Sequence, residues 1–321
     1  EPAGETDLNF YDATNPGARR LFWEKIRETY YRQGFRIFWL DCCEPQIPRQ
    51  QYDHLRYHLG DARAVAGVYP FFQEKAFYDG MTAAGEDDVF FLCRSAWAGS
   101  QRFGAAVWSG DIKSTFEVLA GQVRAGLNLA VSGIPWWTTD IGGFHSGDPT
   151  TDYFRELIVR WFQYGVFCPL FRLHGVREPV TDHREGGQPN EVRCFGDRAY
   201  DIITGLMRLR EHLRPYIMQG MRAAADTGLP LMRPLFFDFH GDAACWAVDD
   251  QFMFGPDILV APVTAAGQRR REVYLPAGAA WVHAWTGAAA AGGQTLSVDA
   301  PLEHIPVYLR QGGDIAELPT G

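Results

Sequence analysis

Three aspartates in this chain stand at the ends of short apolar runs that contain tryptophan: Asp41 after RIFWL, Asp111 after AAVWSG, and Asp140 after IPWWTT. A buried strand that ends in a carboxylate aims that acid into whatever cavity the strand ends surround. Two such carboxyls suffice for glycoside hydrolysis. In the retaining form one is the nucleophile and the other the proton donor, with about 5–5.5 Å between them. Asp41 and Asp111 are the expected pair, far enough apart in sequence to sit on different strands. One strand-end aspartate is as readily a turn or cap residue. The weight comes from several such positions in one chain: Asp41, Arg94, Asp111, Asp140 and His174.

The surrounding pattern supplies elements that could carry them. Residues 18–33 place apolar side chains at helical spacing and stop at Gly34, and RIFWL (36–40) reads as a buried strand. Residues 42–70 are polar and proline-bearing and read as a long loop, of the kind that often carries function. Helices are expected over 71–85, 114–131 (Ser114 as N-cap), 151–166 and 196–228, the last interrupted near Pro215. Strands are expected at 89–96, 104–108 and 167–173, and SGIPWW (132–137) leads into a strand or turn finishing at Asp140. Short strands alternating with helices, with chemistry at the strand ends, predict a (β/α) barrel or a doubly wound sheet. No glycine-rich phosphate fingerprint follows any strand, which argues against a dinucleotide site. From Leu229 onward short runs alternate with turn residues, as in an antiparallel sandwich. The expected division is therefore 1–228 and 229–321.

Composition narrows the partners. The 321 residues carry a formal net charge of −9 with no basic run, which argues against a nucleic-acid footprint or attraction to anionic membranes. Ten Trp and 22 Phe could serve as stacking faces for sugars or simply as core. The six cysteines form no CxxC pattern and read as reduced thiols of a reducing, cytoplasmic compartment. No apolar stretch is long enough for a membrane helix. The start, EPAGETDLNF, is neither a signal peptide nor a Met start, and reads as a junction inside a longer protein. Asp53, His54 and His58 have no third ligand nearby and read as a solvated face, not a metal site. No metal or organic cofactor is expected.

The runs FWLDCCEPQ, RSAWAGSQRFGAAVWSGD, SGIPWWTTDIGGF, PLFRLHG and DQFMFGPDILVAPV, in this order, resemble glycoside hydrolase family 31, the family of α-glucosidases and α-xylosidases. The resemblance implies a retaining α-glycosidase on a (β/α)8 TIM barrel followed by an antiparallel β-sandwich. It implies that Asp41 is the nucleophile and Asp111 the acid/base. Asp140, Arg94 and His174 would bind the innermost sugar, with Trp39 and Trp108 as walls. On this reading Asp111 enters protonated and later activates water as a base. Glu44, just after the nucleophile motif, is expected to orient neighbours. WLDCCE departs from the W-x-D-M-N-E of many α-glucosidases and leans towards α-xylosidase-like members. The position of Asp41 after a single helix implies that barrel strands one to three, an N-terminal sandwich and a distal C-terminal domain lie outside this sequence. The chain alone is then expected to fold poorly and to be inactive. The substrate would be an oligosaccharide or α-glycoside, and the full-length protein could be a homo-oligomer. Two other readings use the same residues: a carbohydrate-binding paralogue without turnover, and an α-transglycosylase.

Overall fold

A computed structural model describes residues 10–44, 49–182, 186–315 and 317–319; residues 45–48 of the expected loop lie outside them. The chain divides into two compact units, Glu1–Trp108 and Ser109–Gly321.

In the first unit, α1 (Pro16–Thr29) starts where the Asn15 side chain accepts from the Gly17 and Ala18 amides, with proline at the first helical position. It ends at a 3-10 turn that Gly34 closes in the left-handed region at φ 102°. β1 (Phe38–Leu40) follows. The expected long loop is largely ordered instead. Among its described residues are a 3-10 helix (Arg49–His54), the two-residue strands β2 (Arg56–Tyr57) and β3 (Gly60–Asp61), and the one-turn helix α2 (Ala62–Val65). Local polar groups make this possible. The Asp61 side chain caps α2, and Asp12 accepts from the His58 amide at 2.6 Å. Helix α3 (Tyr69–Ala83) then leads to β4 (Phe91–Cys93) and β5 (Ala105–Val107).

β1, β4 and β5 form a parallel sheet in that order, with Leu40 opposite Cys93 and Cys93 opposite Val107. Its core holds Trp23, Tyr31, Leu40, Phe77, Met81, Phe91 and Phe103. Trp23 of α1 lies flat on Gly80 of α3, where an added Cβ would come within 2.1 Å of the indole. Phe77 touches the rings of Phe22, Trp23, Phe38 and Phe91, and truncating it to alanine should cost about 3–5 kcal/mol.

The second unit opens with α4 (Phe116–Val131) and α5 (Asp152–Val166). The N-cap of α4 is Thr115, not Ser114: Thr115 Oγ1 accepts from the Val118 amide, while Ser114 donates its own amide to the His145 carbonyl at 2.9 Å. The strand expected over 167–173 is absent. The amides of Phe167 and Cys168 turn back to Tyr164 and Gly165, closing α5, and Pro169 has no donor to give a ladder. Pairing here is reduced to isolated parallel bridges, Lys113 with His145, Ile141 with Leu173, and Gly147 with Arg177. A hairpin of β6 (Arg177–Asp182) and β7 (Gly186–Gln188) precedes α6 (Asp197–His212) and α7 (Arg214–Thr227); Pro215 opens α7 instead of kinking one long helix.

The remaining strands are β8 (Met232–Arg233), β9 (Phe252–Phe254), β10 (Ile258–Val260), β11 (Arg270–Leu275), β12 (Ala280–His283), β13 (Ala289–Ala291), β14 (Gln294–Asp299) and β15 (Val307–Arg310). They make an antiparallel sheet in the order β13-β12-β15-β10-β9-β8 and a second, β11-β14. Met253, Leu259, Val273, Leu275, Trp281 and Tyr308 fill the space where the sheets meet. Arg160, buried on α5, donates to the carbonyls of Gln268, Ala300, Pro301 and His304, tying that helix to the loops of the sandwich.

Candidate active site

In the first unit, the register that sets Leu40 opposite Cys93 makes Asp41 and Arg94 the next residues beyond two neighbouring parallel strands. Both therefore emerge at the same sheet end. Arg94 Nε lies 3.6 Å from Asp41 Oδ1 and 2.8 Å from Glu44 Oε1, and Arg94 Nη2 also bonds Glu44. Burial alone would push the Glu44 acid up. The hydrogen bonds from Arg94, the backbone and Ser95, with the Arg94 charge, bring it below the usual carboxylate range instead. The guanidinium is shared by the two carboxylates, and Glu44 holds its fork. Cys42 has φ 51° and gives its amide to Asp41 Oδ1 at 2.9 Å, so the turn after β1 also orients that carboxylate. Cys43 folds inward, and burial pushes its thiol well up. Trp39 is half exposed, while Trp108 is 1% exposed and stands edge-on to it, with ring centroids 5.9 Å apart. Trp39 thus offers a face and Trp108 backs it.

In the second unit, Asp111, Asp140 and His174 come together. The bridge of Ile141 to Leu173 sets Asp140 beside the strand positions of Arg172 and His174. Arg172 Nη2 bonds Asp140 Oδ1, and the Asp140 side chain is fully buried. Burial pushes the Asp140 acid up, the charges of Arg172 and His174 and the Arg172 hydrogen bond pull it down, and the Asp111 charge adds to the rise; the net direction is upward. Beneath it, Thr139 Oγ1 donates to Gln122 Oε1 at 3.1 Å, which also accepts from Ser109 Oγ at 2.6 Å. Trp161 Nε1 donates to Thr139, and Trp137 Nε1 to Tyr164. Asp111 is exposed at the start of the segment that bridges to His145, and its carbonyl lies 3.0 Å from His145 Nε2. His174 packs its ring on Phe144. The TDIGG run turns sharply because Gly142 and Gly143 have φ of 88° and 79°; a Cβ on Gly143 would lie 2.7 Å from the Ser114 backbone.

The sequence reading did not single out Arg172 or Arg177. Arg172 had a signal, since it lies two residues before His174 and so on the same side of an extended segment. Among the described residues no group of three or more His, Cys, Asp or Glu could hold a metal ion, and no helix is long and apolar enough to cross a membrane.

Comparison with known proteins identifies the family. The glycosyl hydrolases family 31 TIM-barrel domain matches residues 2–219, and the glycosyl hydrolase family 31 C-terminal domain matches residues 228–315. An α-xylosidase of Saccharolobus solfataricus is 38% identical over 302 residues, covering 92% of this chain and 39% of its own length. The crystal structure of a family 31 α-xylosidase from a soil metagenome, complexed with xylose, superposes with a TM-score of 0.90. It is 52% identical, over 95% of this chain and 47% of that one. The Xanthomonas citri α-xylosidase structure gives 0.87 at 35% identity, over 97% and 35% of the two chains. The chain thus spans roughly two fifths of the relatives it matches. It consists of TIM-barrel segments followed by an antiparallel C-terminal sheet domain, and it belongs to glycosyl hydrolase family 31.

Proposed function

We propose that the protein containing this chain is a retaining α-glycosidase that removes non-reducing terminal α-D-xylosyl or α-D-glucosyl residues, with xylosides preferred. The carboxylate of Asp41 attacks the anomeric carbon. The Asp111 acid gives its proton to the glycosidic oxygen as the bond to the leaving group breaks. Water then gives a proton to the Asp111 carboxylate and attacks the glycosyl ester, freeing the sugar and restoring Asp41. Asp140 accepts hydrogen bonds from sugar hydroxyls, with Arg172 keeping its buried carboxylate charged. Arg94 and His174 donate to the same sugar, and Trp39, backed by Trp108, walls it. Residues 1–228 would be the catalytic part and 229–321 the proximal sandwich.

The observation that carries this reading is the pair Asp41 and Arg94, one residue beyond adjacent parallel strands and 3.6 Å apart, with Glu44 holding the guanidinium. An accessible carboxylate at a strand end, with an oriented donor beside it, supports the role of nucleophile. Hydrolysis of para-nitrophenyl α-xyloside by the full-length protein, followed by proton NMR, tests it. The first sugar released should be the α-anomer; release of the β-anomer, or no turnover, would sink the proposal.

A further inference from the structure

Arg177 is fully buried, yet among the described residues none of its hydrogen bonds goes to a carboxylate. Nη1 donates to the Gly143 carbonyl at 2.9 Å and reaches Gly142 O at 3.5 Å and Ser114 Oγ at 3.4 Å. Nη2 donates to the Ile141 carbonyl at 3.3 Å, and Nε to Asn190 Oδ1 at 2.6 Å. One face of the guanidinium covers the ring of Phe154 at 4.8 Å. The acceptors belong to separate stretches of chain. Ile141–Gly143 is the turn directly after Asp140. Ser114 is on the segment that starts at Asp111. Arg177 itself opens β6.

The cavity is shaped for the guanidinium. A Cβ on Gly142, Gly147 or Gly175 would come within 3.0, 2.9 or 2.8 Å of its nitrogens. Only glycine lets backbone approach so closely. The backbone clasps the three segments at the same place: Phe144 donates to Ile112 O at 2.7 Å, Val176 to Phe144 O at 2.6 Å, and Glu178 to Gly147 O at 2.8 Å. Burial lowers the Arg177 pKa to about 10, and the Asp140 charge opposes that fall, so the cation stays charged near neutrality.

We infer that Arg177 is a positioning residue that locks the segment bearing Asp111 to the turn bearing Asp140, holding the proton donor in register with the bound sugar. The inference rests on the role proposed above for Asp111. It reaches no substrate itself, and works through the carbonyls it holds. Its loss would let the acid drift from the leaving oxygen, a displacement of the kind that costs about 100-fold in rate. A proton donor matters most for a poor leaving group, because nitrophenolate departs with little help.

The test uses the full-length protein carrying Arg177→Lys or Arg177→Met, assayed on para-nitrophenyl and methyl α-xylosides beside Asp111→Ala. Asp111→Ala should lose far more activity on the methyl glycoside. The Arg177 variants should lose about 100-fold on the methyl glycoside and about tenfold or less on the nitrophenyl one. Their extra loss on the methyl glycoside should vanish when combined with Asp111→Ala. An equal loss on both substrates, or additivity with Asp111→Ala, overturns the inference and leaves the role of Asp111 standing. A lack of leaving-group dependence in Asp111→Ala itself overturns that role and the inference with it. If the Arg177 variants do not fold, Asn190→Ala, which removes only the Nε acceptor, must show the same bias at smaller size; its absence overturns the inference.

Discussion

Arg94 stands one residue beyond β4 and Asp41 one residue beyond β1, and the parallel register of the two strands brings the guanidinium to 3.6 Å from the carboxylate. Asp41 is half exposed and Arg94 largely covered, so the cation is the fixed member of the pair and the carboxylate the accessible one. Replacing Arg94 with Met removes the donor and leaves Glu44 without its fork. The expected loss in kcat/KM of the full-length protein is about 10²–10³, as for loss of one preorganised donor. Steady-state kinetics on para-nitrophenyl α-xyloside measures it; a loss under threefold would mean that Arg94 only braces the turn.

The roles of Asp41 and Asp111 separate under azide rescue. With Asp41→Ala, azide should attack the anomeric carbon of a nitrophenyl α-glycoside directly, releasing nitrophenolate and giving the β-glycosyl azide. With Asp111→Ala, azide should displace Asp41 from the glycosyl-enzyme and give the α-azide. The anomeric coupling constant of each product reads the outcome, and swapped anomers would exchange the two roles.

Arg172 pairs with a carboxylate that has no exposed surface. Arg172→Ala would strand that charge, at a cost of about 3–5 kcal/mol near pH 7. Without the cation, burial pushes Asp140 still further up, so the folded state holds a proton that the unfolded state gives up above about pH 4. The deficit should therefore shrink on acidification. Urea denaturation of the variant at pH 7 and pH 4.5 checks both the size and the sign; a deficit that does not change with pH would argue against a stranded charge.

Glu74 on α3 is fully buried, with the Ser100 hydroxyl and Cys93 thiol as polar neighbours. Burial raises its pKa from 4.5 to about 8, and those two groups offset only part of the rise. Between these values the folded chain binds a proton that the unfolded chain has lost. Stability should fall with rising pH by up to about 1.4 kcal/mol per unit and level off above the folded value. Glu74→Gln, which keeps the shape and needs no proton, should remove this slope. Chemical denaturation from pH 5 to 9 would show it, and an unchanged slope would exclude Glu74 as its source.

Substrate preference turns on the C6 hydroxymethyl group, which glucosides carry and xylosides lack. The full-length protein should favour para-nitrophenyl α-xyloside over the glucoside by about tenfold or more in kcat/KM, within the range that one small group in a pocket commands. A glucoside preference would reverse the assignment.

Much of this was legible in the residue order. The helices expected over 18–33, 71–85, 114–131 and 151–166 form at 16–29, 69–83, 116–131 and 152–166; apolar spacing marks the first, whereas the last is buried all round from Leu157 to Val166. Polar interruption of apolar runs singled out Asp41, Arg94, Asp111, Asp140 and His174 as candidates. Boundaries were less legible. The strand expected at 167–173 failed because a run of apolar residues is equally the buried end of a helix, and the return bonds to Tyr164 and Gly165 decided between them. The loop expected after Asp41 acquired local order from side-chain caps that period and composition do not reveal.

The sequence by itself determined which chemical groups are present and set Asp41 and Arg94 directly after apolar strands, since those follow from local pattern. Only the tertiary structure decided who holds whom. Arg94 shared between Asp41 and Glu44, Arg172 against Asp140, and Arg177 gathering the carbonyls after Asp140 with Ser114 all join residues far apart in the chain. Strand register and close backbone approach at glycine create these pairings. Both are properties of packed segments, and no local stretch of sequence contains them.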